Sequence, residues 1–259
     1  LKSRLDQDTA AVYIENPTFL GIIETQGEEI GKLAKAAGAE FIVYTDPISL
    51  GVLEAPANYG ATICVGDLHG LGLHLNFGGG QAGFIASHDD MRYITEFKEL
   101  VDGMVETTVP EEQGYSVVLI ERTHYAMREN GKEFTGTQNN LWTAPVAVYL
   151  SLMGPKGMEE IGHTIMTNAK YAAKKLAGIP GVSLRFPSVF FKEFVVNFDK
   201  TGKTVEEINQ LLLSRQIFGG VDLSRDYPEL GQSALYCVTE TADKESIDRL
   251  AGALQAILN

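Results

Sequence analysis

The sequence predicts an α/β protein with a mainly parallel sheet, followed by a small α+β layer. Three observations carry this. A buried-strand run, a helix-spaced run and a second strand run follow one another near the start, at TAAVYIEN (9–16), TQGEEIGKLAKAAGAE (25–40) and EFIVYTD (40–46). A helix between two strands returns the chain to its starting edge, so the strands lie parallel as a βαβ unit. In the last third, single strands alternate with amphipathic helices instead.

The first strand run is apolar and bounded by turn residues. The helix behind it carries Ile30, Leu33, Ala34 and Ala37 at helical spacing. Thr25 and Glu28 stand at the spacing of a capping box, and Gly38 is placed to stop the helix. A shorter crossover, ISLGVLEAPANYG (48–60), leads to the strand ATICVG (61–66), and AGFIAS (82–87) supplies one more. Ligands of such sheets sit at the carboxyl ends of the strands, where Asp46, Asp67 and His69 fall. GYSVVLIER (114–122) reads as a further strand, and the polar segment THYAMRENGKEFTGTQNN (123–140) as a functional loop or domain junction.

From Leu141, LWTAPVAVYLSLMG and MEEIGHTIMTNAKYAAKKLAGI form a long helical stretch broken at Gly154 and Pro155. KEFVVNF and ALYCVTE are strands. TVEEINQLLLSRQI presents Val205, Ile208, Leu211 and Leu212 on one face. The closing helix TADKESIDRLAGALQAIL carries Ile247, Leu250, Ala251, Leu254 and Ile257 in register. The domain boundary falls near residue 140, giving a 1–140 α/β unit and a 141–259 α+β unit.

The 259 residues and 44% hydrophobic content suit a globular chain with a real core. Lysine plus arginine (21) against aspartate plus glutamate (34) leaves a net charge of −13 without a basic cluster, which argues against nucleic acid as a partner. Cys64 and Cys237 lie in apolar runs and read as two buried thiols in a reducing compartment. No run reaches the roughly 18 apolar residues of a membrane span, and the start, LKSRLDQDTA, has no hydrophobic signal core; a soluble, cytoplasmic protein is expected. The chain opens on Leu1 and enters a strand run by Ala10, as a processed product or a piece of something longer would.

The stretch GDLHGLGLHLNFGGGQAG (66–83) lets a backbone come close to a ligand and contains no lysine. Asp67, His69 and His74 match no fixed metal-ligand spacing, so no metal is assigned; the plainer reading of the histidines is polar residues hydrogen-bonded at a strand end. GGGQAG fits neither of the common phosphate-loop spacings.

Taken together, ENPTFLGIIE (15–24), NYGATICVGDLHGLGLHLNFGGGQAGFIA (58–86), the segment 121–157, FKEFVVNF (191–198) and IFGGVDLSRDYPELGQSALYCVTET (217–241) resemble subunit 1 of glycine dehydrogenase (decarboxylating), the P-protein of the glycine cleavage system. The resemblance covers nearly the whole chain and is loosest over 94–115. It implies the carboxyl-terminal part of a subunit of the pyridoxal-phosphate (PLP) fold-type-I class, the 1–140 unit being part of the large domain. It further implies a heterotetramer in which subunit 2 holds the Schiff-base lysine, glycine as substrate, and a lipoyl carrier, the H-protein, as acceptor. In the lysine-bearing subunit the equivalent stretch looks like N-L-H-K before a glycine run; here it reads DLHG, with Gly70 about where the lysine would stand, and Asn76 follows in the same stretch. This chain is then unable to hold the cofactor covalently, and the isolated chain is expected to be inactive.

The resemblance also implies that Thr137, together with Gln138, reaches the partner's PLP phosphate from the TGTQNN turn; the competing reading of Thr137 is a helix N-cap. Arg122, Arg128 and Glu129 match a family segment, but Thr123, His124 and Tyr125 depart from it. The two arginines either attract a carboxylate or form ion pairs at the domain junction. Glu193 and Glu240 read as hydrogen-bonded structural carboxylates, with an interface role as the alternative. Asp46 sits near the aspartate that pairs with the pyridine nitrogen in this class, or serves as a turn-former before Pro47. Two rival functions are a scaffold module derived from a PLP enzyme and a metal hydrolase using His69 and His74. Lacking its covering, the piece alone is expected to self-associate or to be marginally stable.

Overall fold

The computed structural model describes residues 1–73, 75, 81–133 and 139–258. Strands β1 (Ala11–Glu15), β2 (Glu40–Tyr44), β3 (Ile63–Asp67) and β4 (Gly83–Ser87), with helix α1 (Gly27–Ala36) between the first two, build a four-stranded sheet in the order β1-β2-β3-β4. The first three strands are parallel, and β4 runs antiparallel to β3. The short crossover from β2 to β3 consists of two 3-10 turns, Ser49–Gly51 and Pro56–Tyr59.

The alternation of β2 explains how this layer packs. Phe41 and Val43 are buried with Val12 and Ala34 under α1, while Tyr44 and its cross-strand neighbours occupy the other face. Tyr13 and Ile85, on that second face, are each 54% exposed. A parallel sheet normally has both faces covered.

Helix α1 corrects one expectation. It starts at Gly27 with Gln26 as N-cap and no side-chain cap bond. Glu24 instead accepts from the Gln26 amide at 2.7 Å, and Glu28, already inside the first turn, pairs with Lys32 at 2.5 Å. The start is shifted by one residue, which takes Thr25 out of reach of the cap.

Beyond β4 come a one-turn helix α2 (Met91–Ile94) and a hairpin, β5 (Val101–Glu106) with β6 (Gln113–Val118), forming a separate two-stranded sheet. The strand expected over 114–122 therefore ends at Val118. Leu119 takes a positive φ of 54°, and Ile120–Arg122 is a 3-10 turn, followed by the short helix α3 (His124–Met127).

Helix α4 (Thr143–Ala177) bends at Gly154 (φ 60°, ψ −178°), directly before Pro155. Proline lacks the amide proton a helix interior needs, so the break falls where the sequence places it. The amino-terminal part of α4 packs Val146 against Leu71, Leu73 and Ile48, whereas Ala169, Ala172, Ala173 and Leu176 pack on a second sheet.

That second sheet, antiparallel throughout, has the order β7-β8-β10-β9, from β7 (Ser183–Leu184), β8 (Glu193–Asn197), β9 (Val221–Asp222) and β10 (Ser233–Cys237). Helices α5 (Val205–Leu213) and α6 (Lys244–Leu258) close over it, and Phe198, Ile208, Leu212 and Leu254 are fully buried in this largest core. α5 has a complete capping box: the Glu207 amide donates to Thr204 Oγ1 at 3.2 Å, and the Thr204 amide donates to Glu207 Oε2 at 2.8 Å. Among the described residues no helix is long and apolar enough to cross a membrane.

Candidate functional site

The carboxyl ends of β1, β2 and β3 face the edge of the second sheet across a cleft of about 730 Å³, lined among others by Glu15, Tyr44, Asp67, Gly70, Lys192 and Cys237. Asp46, His69 and Glu193 also line it. One wall is held in place by the ENPTFLG segment. Asn16 exchanges two hydrogen bonds with the backbone of Glu24, at 3.2 and 3.1 Å, and the Ile23 amide donates to the Val189 carbonyl at 3.0 Å. Gly21, at φ +85°, brings this loop so close to β8 that a Cβ there would lie 1.9 Å from the Glu193 carbonyl oxygen. Only glycine fits both the backbone angle and the contact.

On the first sheet's side, Asp67 accepts from the Tyr44 hydroxyl at 2.6 Å and from the His69 amide at 2.9 Å. Burial, reinforced by the Asp67 carboxylate, raises the Tyr44 phenol well above the ordinary tyrosine range. Asp46 forms a turn and an ion pair at once. Its Oδ1 accepts from the Ile48 amide at 3.0 Å, as a turn-former's would, and its Oδ2 lies 2.6 Å from Lys192 Nζ.

Lys192 follows Phe191, which is fully buried in the core beside α4 and anchors this backbone, and it lines the cleft together with Glu193. The Val238 amide donates to the Lys192 carbonyl at 2.9 Å and fixes this backbone to the end of β10. Burial alone would lower the Lys192 pKa, but Asp46 and then Glu193 outweigh it and hold the ammonium above the usual lysine range. Glu193, 3.8 Å from the same ammonium, is raised by burial and accepts weakly from the Cys237 thiol at 3.5 Å. The Cys237 thiol is pushed up to about 12 by burial and the neighbouring carboxylate.

The cysteines depart from the expected pair of buried thiols. Cys64 is half-buried, and Cys237 keeps part of its surface on the cleft because it is the last residue of β10, paired with Glu193 at the end of the central strand pair. Arg122 is buried (6% exposed) and donates to the backbone carbonyls of Phe97, at 2.7 Å, and of Glu99. It therefore ties down a loop. Arg128 and Glu129 are exposed on a 3-10 turn and Glu240 in the turn before α6; none of the three lines the cleft. His124 contacts Glu133. Thr137, Gln138, His74 and Asn76 lie outside the described residues. Asn139, which follows Gln138, lines a hollow of about 490 Å³ together with Asp67, His69, Gln81, Ala82 and Gly83. Among the described residues no group of three histidine, cysteine, aspartate or glutamate side chains is placed to hold a metal ion.

The structure matches that of a glycine decarboxylase (P-protein) of the glycine cleavage system, crystallised in an inhibitor-bound form, with a TM-score of 0.87 and 31% identity over 98% of this chain and 56% of the other. A NifS-like protein from Rickettsia africae superposes with a TM-score of 0.67 at 16% identity, over 99% of this chain and 64% of that one, a likeness of fold alone. The fold is that of the fold-type-I PLP-dependent enzymes. The family model "Glycine cleavage system P-protein" matches residues 2–254, and the "Probable glycine dehydrogenase (decarboxylating) subunit 1" of Pyrococcus furiosus is 36% identical over 258 residues, 100% of this chain and 56% of the relative. The chain belongs to the glycine cleavage system P-protein family. It spans about half the length of the curated relatives it matches.

Against that fold, the cleft presents no free amine among the described residues that line it. Position 70, which lines it, is glycine, and the amine that does reach it, Lys192, is paired with Asp46.

Proposed function

We propose that this chain is the lysine-lacking subunit of a cytoplasmic glycine-decarboxylating enzyme, acting with a second subunit that holds PLP. The observation that carries the reading is Gly70 on the cleft floor, in a family whose chemistry requires a tethered cofactor. PLP, when bound by the partner, supplies the electron sink for loss of carbon dioxide from glycine, and the aminomethyl group passes to the lipoyl H-protein.

This chain's part is to wall the partner's site and to offer donors to the phosphate. Thr137 and Gln138 are the residues proposed for that contact, with a hydroxyl and amides to offer an anion. The position of Asn139 beside Asp67 and His69 supports it, because the residue that follows Gln138 in the sequence borders the strand ends.

The test is reconstitution. The chain and a lysine-bearing subunit are purified separately and mixed, and glycine-dependent exchange of labelled bicarbonate is followed with the H-protein present. Neither subunit alone should exceed background, and the mixture should be active. Full activity of either subunit by itself would overturn the proposal.

A further inference from the structure

The cleft holds an amine, although not where the fold class uses one. Lys192 approaches from the second sheet and places its ammonium 2.6 Å from Asp46 Oδ2 and 3.8 Å from Glu193 Oε1, its side chain 27% exposed. Its position is imposed from both sides, by Phe191 locked in the core and by the Val238 amide on its carbonyl. Among the residues lining the cleft, Glu15, Asp46, Asp67 and Glu193 set four carboxyl groups against this one ammonium.

We infer that the Lys192–Asp46 ion pair seals this chain's own cleft against aldehyde cofactors: the buried Oδ2 of Asp46 is committed to Lys192, and the Lys192 charge is neutralised by Asp46. An amine attacks a carbonyl carbon only through an unshared electron pair, and an ammonium held between two carboxyl groups has none to offer. A carboxylate already paired to an ammonium has no charge left for a protonated ring nitrogen. A phosphate dianion entering the cleft meets a surplus of acidic groups. Three requirements of a phosphorylated aldehyde fail together, and one lysine accounts for two of them. The inference concerns this chain's cleft only, and it stands or falls independently of whether the chain serves a partner's site.

Reductive methylation of the whole chain with formaldehyde and a borane reductant, quantified lysine by lysine by mass spectrometry, tests it. Lys192 should react at least about tenfold more slowly than the exposed Lys35 and Lys170, one pKa unit being a factor of ten in free amine. In Asp46→Asn, which keeps an oxygen for the Ile48 amide, the Lys192 rate should rise about tenfold while Lys35 and Lys170 stay constant. Should that variant fail to fold, the pH dependence in the native chain serves: the Lys192 rate should still be climbing at a pH where that of free Nα-acetyl-lysine, with its amine near 10.4, has levelled. Lys192 reacting like an exposed lysine, an Asp46→Asn rate equal to the native one, or coincident pH profiles would each overturn the inference.

Discussion

Replacing Lys192 with methionine removes the ammonium while keeping most of the stem, and its cost can be worked from the geometry. At 2.6 Å and an effective dielectric constant of about 20, the gross attraction to Asp46 is roughly 6 kcal/mol. Desolvation of both groups cancels much of that, and breaking a buried pair by deleting one partner typically costs about 3–5 kcal/mol. The side chains here retain 27% and 16% exposure, so water recovers part of the loss and about 2–3 kcal/mol is expected. The assay is urea denaturation of the native chain, Lys192→Met, Asp46→Asn and the double variant, read as a double-mutant cycle. The double variant should be less destabilised than the sum of the single ones by about 2 kcal/mol. Because the folded state raises the Lys192 pKa, this contribution is complete below the unfolded lysine value near 10.4 and fades as pH rises through the folded value. A coupling energy below about 0.5 kcal/mol, or one that grows toward alkaline pH, would refute the reasoning.

The remaining predictions concern the walls of the cleft and the body of the fold. Gly21→Ala forces a Cβ to 1.9 Å from the Glu193 carbonyl at a φ of +85°, and should destabilise the chain by about 3–5 kcal/mol in the same denaturation assay. Thr204→Ala removes half of the α5 capping box and should cost about 1 kcal/mol, with Thr204→Ser restoring most of it. Thr137→Val should weaken PLP retention by the reconstituted complex by about 1–2 kcal/mol, measured by dialysis against cofactor-free buffer; unchanged retention would leave Thr137 a helix cap.

Much of this architecture is legible in the sequence because the local signals agree. The break at Gly154 and Pro155, the parallel β1 to β3 and the apolar faces of α5 and α6 stand where periodicity puts them. The strand β5 escapes because VDGMVE puts glycine at one of its shielded positions and Met104 at an exposed one, so its apolar residues do not alternate. Its partner's run of apolar residues continues past Val118 into a turn, so the pattern overstates the strand. At the site, Asp46, Asp67 and His69 are legible from strand ends, and Gly70 from the family resemblance. Lys192 is not. It belongs to a distant segment, and what aims it at Asp46 is the burial of Phe191 and the docking of two sheets, neither of which leaves a motif. Cys237 is misread because it closes an apolar run, and only the docking of the two sheets shows that this end of the strand opens on the cleft.

The aldehyde is expected on the second polypeptide. The direct measurement is borohydride reduction of the complex loaded with PLP, followed by mapping of the pyridoxyl group in both subunits and counting it per pair. One pyridoxyl group per pair, all of it on a lysine of the second subunit, is the result expected. A stoichiometric pyridoxyl adduct on Lys192, or on any other lysine of this chain, would contradict it.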